Sequence, residues 1–83
     1  MPYERLVSAR KKVVGSKETL KSIERGQAKI VFVAKNADRR ITEPIVRACY
    51  ARGTPVEEVP SMRELGKACG ISVNCASAAV IED

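Results

Sequence analysis

The sequence contains no histidine and no tryptophan, and its only aromatic residues are Tyr3, Phe32 and Tyr50. Without histidine the chain lacks the commonest general base and the mixed cysteine-histidine ligand sets of many zinc sites. The stacking platforms of single-strand binders are poorly supported, because they need several exposed aromatic rings and we expect Phe32 to lie in the core. These absences argue against histidine-dependent catalysis and against RNA binding by base stacking.

Cysteine is also sparse, and Cys49, Cys69 and Cys75 form no CxxC pair. Each lies in an apolar pattern, which favours buried, reduced thiols, and an odd count argues against a disulfide framework. The first residues have no apolar signal core, and no run approaches the roughly 18 apolar residues of a membrane helix. The sequence therefore predicts a cytoplasmic protein without a metal or other cofactor.

Arrangements of residues that carry catalysis are missing as well. There is no GxSxG motif, and Gly66-Lys67 cannot end a phosphate loop because position 61 is serine rather than glycine. Glu57 and Glu58 are neighbours on a predicted strand, so they point to opposite faces and cannot act as a carboxylate pair. We predict that the protein is not an enzyme and has no catalytic residues.

What the sequence does contain is positive charge, since 15 basic residues outnumber 10 acidic ones and give a net charge of +5 over 83 residues. That length predicts one domain, residues 1–83, with a modest core. The basic excess favours a polyanionic partner, with RNA, DNA or a membrane surface as candidates. Nothing in the pattern suggests a dimer interface, so a monomer is expected.

Helix and strand patterns alternate along the chain, in the order α, β, α, β, α, β, α, β. Helices are predicted near residues 3–12, 17–25, 42–52 and 61–70, and strands at 13–14, 30–34, 55–59 and 73–81. Residues 30–34 are apolar throughout, which is typical of a strand buried on both faces. The sequence therefore predicts an α/β fold, a three-layer α/β/α sandwich with helices on each side of one four-stranded sheet.

Capping signals mark the ends of three of the helices. We expect Ser16 and Thr42 to cap the second and third helices, with Pro44 in the first turn of the third. Ser61 and Glu64 have the spacing of a capping box at the start of the fourth. The glycines that are expected to end these helices are Gly26, Gly53 and Gly70.

Lys17, Lys21 and Arg25 recur every four residues, so they lie along one side of the second helix. One interpretation is an ordinary solvated face, in which Glu18 and Glu24 balance Lys21. The other is an RNA-binding helix start, where the amides favour phosphate and Lys17 and Glu18 meet the edges of non-Watson–Crick purine pairs. Regular A-form RNA hides those edges, so the second interpretation requires a bent or bulged RNA.

Three motifs in this chain together resemble those of a known family. They are residues 15–26 (GSKETLKSIERG), 59–70 (VPSMRELGKACG) and the tail formed by 70–73 and 76–82. The sequence is similar to the kink-turn-binding ribosomal proteins of the L7Ae type, most of all to their compact bacterial members. The resemblance covers about residues 3–82 and implies an α/β/α sandwich around a mixed four-stranded sheet.

The resemblance also implies an RNA-binding site at two places in the chain. Its residues are Gly15, Ser16, Lys17, Glu18, Lys21, Arg25, Val59, Pro60 and Ser61. By analogy, the glycine-serine turn lets the backbone approach RNA, while Lys17 and Glu18 read the guanines of tandem sheared G·A pairs. Lys21 and Arg25 hold phosphates or base edges, and loop 59–61 lies against the extruded nucleotide. From the residues alone, the same loop is a strand-to-helix turn with a capping box.

The sequence departs from this family pattern at a few positions. Archaeal and eukaryotic members usually have asparagine where this chain has Lys17, and a lysine keeps the donor but loses the acceptor. Residues 13–14 are both valine where basic residues are common, and residues 57–58 are both glutamate close to the implied site. The basic residues after the second strand are interpreted as a polar loop or as an extension of the contact, namely Lys35, Arg39 and Arg40.

Three functions are consistent with these features. The first is a protein that recognises and stabilises kink-turns in ribosomal RNA or in another structured RNA such as a riboswitch. The second is a structural protein of the large ribosomal subunit that depends on neighbouring RNA and proteins. The third is a protein-interaction domain that has lost RNA specificity, with the basic residues as a solvated face.

Overall fold

The computed structural model describes residues 3–83, in which four helices alternate with four strands. The elements are α1 (Glu4–Ser8), β1 (Lys11–Val14), α2 (Ser16–Glu24), β2 (Ile30–Ala34), α3 (Arg39–Arg52), β3 (Val56–Val59), α4 (Met62–Ala68) and β4 (Ser77–Glu82). The predicted order of elements is confirmed. Within the described chain, no helix is both long enough and apolar enough to cross a membrane.

The strands form one mixed sheet in the order β1-β4-β2-β3. Strand β4 is antiparallel to both β1 and β2, whereas β2 and β3 are parallel. The central position of β2 explains its continuous apolar run, because all five of its residues are buried. Strand β3 lies at an edge, where its two exposed glutamates are tolerated.

Helices cover both faces of the sheet, which confirms the three-layer sandwich. On one face Phe32 and Leu65 belong to a cluster that includes α1 and α4 residues. On the other face Val31 and Val33 pack with Ile23 of α2 and with residues of α3. Alternate residues of β2 thus enter opposite layers, as the two-residue period of a strand requires.

The first helix is shorter than predicted, because Lys11 and Lys12 belong to β1 rather than to α1. They pair with Glu82 and Val80 of β4, with an irregularity in the register between the two lysines. The Lys12 ammonium donates to the carbonyl oxygen of Leu6 at 3.1 Å, and this bond helps to satisfy the end of α1. The gain of sheet hydrogen bonds overrides the helical pattern.

Two predicted N-caps are wrong. Gly15, not Ser16, precedes α2, and no side chain among residues 3–83 caps that helix. Helix α3 begins earlier than expected because the Asp38 carboxylate accepts a hydrogen bond from the Arg40 amide at 2.9 Å. Thr42 is consequently a buried residue inside the helix, and Pro44 lies in its second turn rather than its first. Asp38 therefore fills the capping role that was predicted for Thr42.

The cap of α4 is confirmed in one direction, since the Ser61 hydroxyl accepts from the Glu64 amide at 3.1 Å. The return bond is not formed, and Glu64 Oε2 has no hydrogen-bond partner in the described chain. The three glycines predicted to end helices have φ values of 70°, 71° and 78° for Gly26, Gly53 and Gly70. Their positions at the ends of α2, α3 and α4 are therefore confirmed.

The last strand begins at Ser77 rather than near residue 73. Residues 71–76 form an irregular connection that packs against α4, so that the Val73 carbonyl approaches Gly66 and the Cys75 amide donates to the Met62 carbonyl at 3.1 Å. Val73 is 66% exposed. A hydrogen bond to Met62, the first residue of α4, therefore replaces strand pairing for this apolar segment.

Candidate nucleic-acid interface

The register of the sheet brings the two predicted site segments to the same end of the molecule. Val14 of β1 pairs with Ala78 of β4, and Ser77 of β4 pairs with Val33 of β2. The next residue of β2, Ala34, pairs with Val59 of β3. The last residues of β1, β2 and β3 therefore lie in one row with the first residues of β4.

Helix α2 starts one residue after β1, and loop 59–61 begins at the last residue of β3, at the other edge of the sheet. Neighbouring strands are about 4.8 Å apart, so three intervals place these two segments roughly 14 Å from each other. A ligand that spans this end of the sheet can touch both segments.

Gly15 forms the turn between β1 and α2 with a φ of 97°, a backbone conformation that side chains disfavour. Its amide donates to the Ser77 carbonyl at 2.9 Å, which fixes the turn to the start of β4. A Cβ atom built on Gly15 would meet nothing within 4 Å. The backbone at this turn is therefore open to a ligand while it is anchored from behind.

The first amides of a helix have no intrahelical partner, and at the start of α2 no side chain of the described residues caps them. The neighbouring Ser16 hydroxyl accepts a hydrogen bond from the buried Ser77 hydroxyl at 3.1 Å. Unpaired amides and the positive end of the helix dipole favour an anion at this position. Ser77 supports the helix start without covering it.

Charged side chains extend from this turn along α2 to Arg25, the residue that follows the helix. Lys17, Glu18 and Arg25 are exposed and Lys21 is half-buried. The Lys21 ammonium lies 3.9 Å from the Glu18 carboxylate, and no ion pair of Lys17 or Arg25 is formed within the described chain. A surface pair at that distance contributes little, so both partners can be redirected to a ligand.

The far end of α2 is held by a contact that the sequence did not reveal. The Arg52 guanidinium at the end of α3 donates to the carbonyl oxygen of Glu24. Gly26 follows, and a Cβ atom there would lie 3.4 Å from the same guanidinium. Both ends of α2 are thus fixed by residues outside its own motif.

The three residues of loop 59–61 have different environments. Val59 is buried in the core, Pro60 is exposed, and Ser61 is half-buried as the cap of α4. The Val59 carbonyl accepts from the Lys35 amide at 2.8 Å, and the Asn36 side chain accepts from the Met62 amide at 2.8 Å. A direct contact from this loop would therefore come from Pro60 and Ser61, with Val59 as support from the core.

Asn36 and Ser77 position the candidate site, although neither was identified from the sequence. Asn36 fixes loop 59–61 through the Met62 amide, and Ser77 holds both Gly15 and Ser16. The available signals were a lone hydroxyl in an alanine-rich strand and an asparagine two residues after a buried strand. Neither signal identifies its partner, since each bond connects residues that are distant in sequence.

The basic residues after β2 are divided between two roles. Arg40 pairs with Asp38 at 2.8 Å, and its guanidinium lowers the pKa of that carboxyl group, with a further effect from the Arg40 amide. Lys35 and Arg39 instead line a cavity of about 440 Å³ together with Glu58. This cavity contains both signs of charge, so it is less suited to a polyanion than the start of α2.

The two glutamates of β3 point to opposite faces, as predicted. Glu58 lines the cavity beside α3, whereas Glu57 lies near Arg5 of α1. The pKa of the Arg5 guanidinium is raised, first by its hydrogen bond with Asp83, and the charge of Glu57 acts in the same direction. Within residues 3–83, no group of three histidine, cysteine or acidic side chains is placed to hold a metal ion.

The fold and this surface define a small basic α/β/α domain in which an uncapped helix start and a proline-containing loop share one end of the sheet. The sequence model of the ribosomal protein L7Ae/L30e/S12e/Gadd45 family matches residues 3–83. The chain belongs to this family.

Relatives of similar length support the assignment. The chain is 42% identical over 81 residues to an RNA-binding protein of Geobacillus sp. strain WCH70, and 41% identical over 81 residues to RNA-binding protein YbxF of Geobacillus stearothermophilus. In both cases the match covers 98% of this chain and 99% of the relative.

Solved structures have the same fold. The 15.5kD RNA binding protein of Giardia lamblia has a TM-score of 0.86 at 30% identity, over 98% of this chain and 68% of that protein. A Bacillus halodurans protein of unknown function has a TM-score of 0.83 at 21% identity, over 96% of this chain and 80% of that one, and this second likeness concerns the fold alone.

Proposed function

We propose that this protein binds RNA and that it recognises kink-turns through their tandem sheared G·A pairs, without catalysing a reaction. The observation that carries the proposal is the Gly15 turn, which leaves the start of α2 uncapped and open while Lys17 and Glu18 stand exposed beside it. The names of the Geobacillus and Giardia relatives, which describe RNA-binding proteins, support the same class of partner.

Each part of the helix start has a chemical role in this proposal. The Lys17 ammonium donates to guanine O6 or N7, and the Glu18 carboxylate accepts from an exocyclic amine. The open backbone at Gly15 and Ser16 lets the helix enter a groove that is accessible only in bent RNA. The ion pair between Lys21 and Glu18 is weak, so both side chains can leave it and bind RNA.

The remaining residues extend the contact along the RNA. Lys21 lies one turn beyond Lys17 on α2, and Arg25 directly follows the helix. Both meet phosphates, which a basic helix face attracts. Pro60 and Ser61 contact the extruded nucleotide from the opposite edge of the same sheet end. We propose that the protein acts as a monomer in the cytoplasm.

A structural role in the large ribosomal subunit is the second candidate, and the ribosomal members in the name of the family favour it. In that case the same surface would bind ribosomal RNA with help from neighbouring proteins. Co-sedimentation with large subunits after a high-salt wash distinguishes the two. Retention at stoichiometric amounts would favour the subunit protein, whereas release would favour a free RNA-binding protein.

The main test compares two RNA duplexes that differ only in the G·A pairs. One carries a kink-turn, and in the other the G·A pairs are replaced by Watson–Crick pairs. We expect clearly tighter binding to the kink-turn at two salt concentrations, because only that RNA presents the guanine edges. Equal affinity for both would refute the specific recognition, and no binding to either would favour a protein-interaction domain.

A further inference from the structure

The cavity beside α3 lies where the parallel strands β2 and β3 end. Its volume is about 440 Å³, within the range of roughly 300–1,000 Å³ that is usual for small-ligand pockets. Val33 of β2 and Glu58 of β3 are paired neighbours in the sheet, so their side chains point towards the same layer, in which Val46 of α3 also packs. Open α/β sheets commonly bind ligands in a crevice at the carboxyl ends of their strands, and this cavity has that position.

The cavity has a largely apolar base and a charged rim. Val33 is 4% exposed and Thr42 is 8% exposed, and both line it from the side of the core. Lys35, Arg39 and Glu58 line it as well, and all three are exposed. We call these three side chains the rim charges. An occupant would place an apolar part against Val33 and its polar groups against the rim charges.

The rim charges are unpaired, although they include both signs and line one cavity. Among residues 3–83 none of them forms an ion pair. The other charged side chains of the same region are paired, namely Arg40 with Asp38 and Arg47 with Glu43, and Glu43 also lines the cavity. The opposite charges of the rim are therefore held apart across a space that a ligand can enter.

The signs of the rim charges select the kind of ligand. Two of them are positive and one is negative, so their net charge is +1. A simple cation would be repelled by Lys35 and Arg39, and a simple anion would be repelled by Glu58. A zwitterion with two carboxylates and one ammonium is complementary to all three side chains, and its own net charge is −1.

We propose that this cavity binds a free dicarboxylic amino acid, of which glutamate is the probe. The Arg39 guanidinium and the Lys35 ammonium donate to the two carboxylates, and the Glu58 carboxylate accepts from the ligand ammonium. The methylene chain of the ligand packs against Val33 and Val46. This binding goes beyond the proposed function and does not depend on it.

The test titrates the folded full-length protein with sodium glutamate, without RNA, and follows the backbone amides by NMR. We expect the amide signals of Ala34, Thr42 and Val46 to shift, with a dissociation constant on the order of 1 mM for so small a ligand. Sodium chloride at the same ionic strength controls for screening. Glutarate lacks the ammonium and glutamine lacks the second carboxylate, so each should bind about fivefold more weakly.

Two pairs of neighbouring residues provide matched variants. Glu58→Gln should weaken glutamate binding about fivefold without weakening glutarate, because only glutamate has an ammonium for Glu58 to accept from. Glu57→Gln changes an equally exposed acid on the opposite face of β3 and should have no effect. Arg39→Gln should weaken both ligands, whereas Arg40→Gln, at a side chain already paired with Asp38, should weaken neither.

Several outcomes would overturn this site. They are the absence of shifts at about 20 mM glutamate, well above the expected dissociation constant, equal affinity for glutamate and glutarate, and equal losses in Glu57→Gln and Glu58→Gln. Shifts confined to the start of α2 would also overturn it, since they would indicate anion binding at the candidate RNA site. If glutamate binds as expected but no kink-turn does, this site stands and the proposed function fails, and kink-turn binding without glutamate binding would mean the reverse.

Discussion

The Ser77 carbonyl accepts hydrogen bonds from the Gly15 amide and from the Cys75 thiol, each at 2.9 Å, so the turn before α2 is fixed by a residue 62 positions later in the chain. The Ser77 hydroxyl adds a third bond, to Ser16 at 3.1 Å. The geometry of the helix start therefore depends on β4 rather than on a cap within its own motif.

Replacing Ser77 with alanine tests this support. Ser77→Ala keeps the carbonyl but removes the buried hydroxyl, which should lower the free energy of unfolding by about 0.5–1.5 kcal/mol. The affinity for a kink-turn should fall as well, because Ser16 loses its partner. Chemical denaturation and RNA titration measure the two effects. Ser8→Ala is the control, since that exposed hydroxyl only bonds within α1; if both variants behaved alike, Ser77 would have no positioning role.

Glu18 is expected to provide discrimination rather than general affinity. Glu18→Ala should reduce the preference for the kink-turn over the Watson–Crick variant by about 1–3 kcal/mol, the value of one good base contact. Titration of both RNAs gives this difference. Glu24→Ala, an exposed acid at the other end of α2, is the matched control and should leave the preference intact. A larger effect at Glu24 would mean that the helix start is not the reading element.

Lys21 is expected to act through charge. Lys21→Ala should weaken binding to both RNAs to a similar degree and reduce the slope of log K against log salt by about 1, because one phosphate contact is lost. Affinities at four or more salt concentrations give the slope. Lys29→Ala removes the same charge from the residue before β2, at the opposite end of the sheet. An equal change of slope in both variants would indicate attraction without a defined site.

Gly66 is a position where helix propensity and packing predict opposite results. Alanine in a helix is worth about 1 kcal/mol over glycine, which favours a more stable variant. However, a Cβ atom at Gly66 would lie 2.2 Å from the Val73 carbonyl oxygen. We expect Gly66→Ala to lower the unfolding free energy by about 1–3 kcal/mol, because the 71–76 connection must move. A raised melting temperature would show that this connection does not pack against α4.

Thr19 and Ser22 provide a matched pair of buried hydroxyls on α2. Thr19 Oγ1 has no hydrogen-bond partner in the described chain, whereas Ser22 Oγ donates to the Thr19 carbonyl at 2.7 Å. Thr19→Val should therefore be neutral or raise the unfolding free energy by up to about 1 kcal/mol, and Ser22→Ala should lower it by about 1 kcal/mol. Urea denaturation measures both changes. Destabilisation by Thr19→Val would show that its hydroxyl has a partner after all.

Much of the fold followed from local patterns. The apolar run of residues 30–34 identified a strand covered on both faces, and the glycines at 26, 53 and 70 marked the helix ends. Two of the boundaries that were wrong depend on a distant partner, whereas the early start of α3 depends on its local cap, Asp38. Lys11 and Lys12 belong to β1 because they pair with β4, and residues 73–76 lie outside β4 because the Cys75 amide bonds to Met62 of α4 instead.

The candidate site likewise has a part that the sequence predicts and a part that it does not. The sequence by itself determined the residue types along α2, since the spacing of Lys17, Lys21 and Arg25 places them on one side of any helix that forms there. Only the tertiary structure decided which residues complete the site. The sheet register brings the Gly15 turn and Pro60 to one end, buries Val59, and supplies Ser77 and Asn36 as supports. Register is a property of paired strands, so a local pattern cannot contain it.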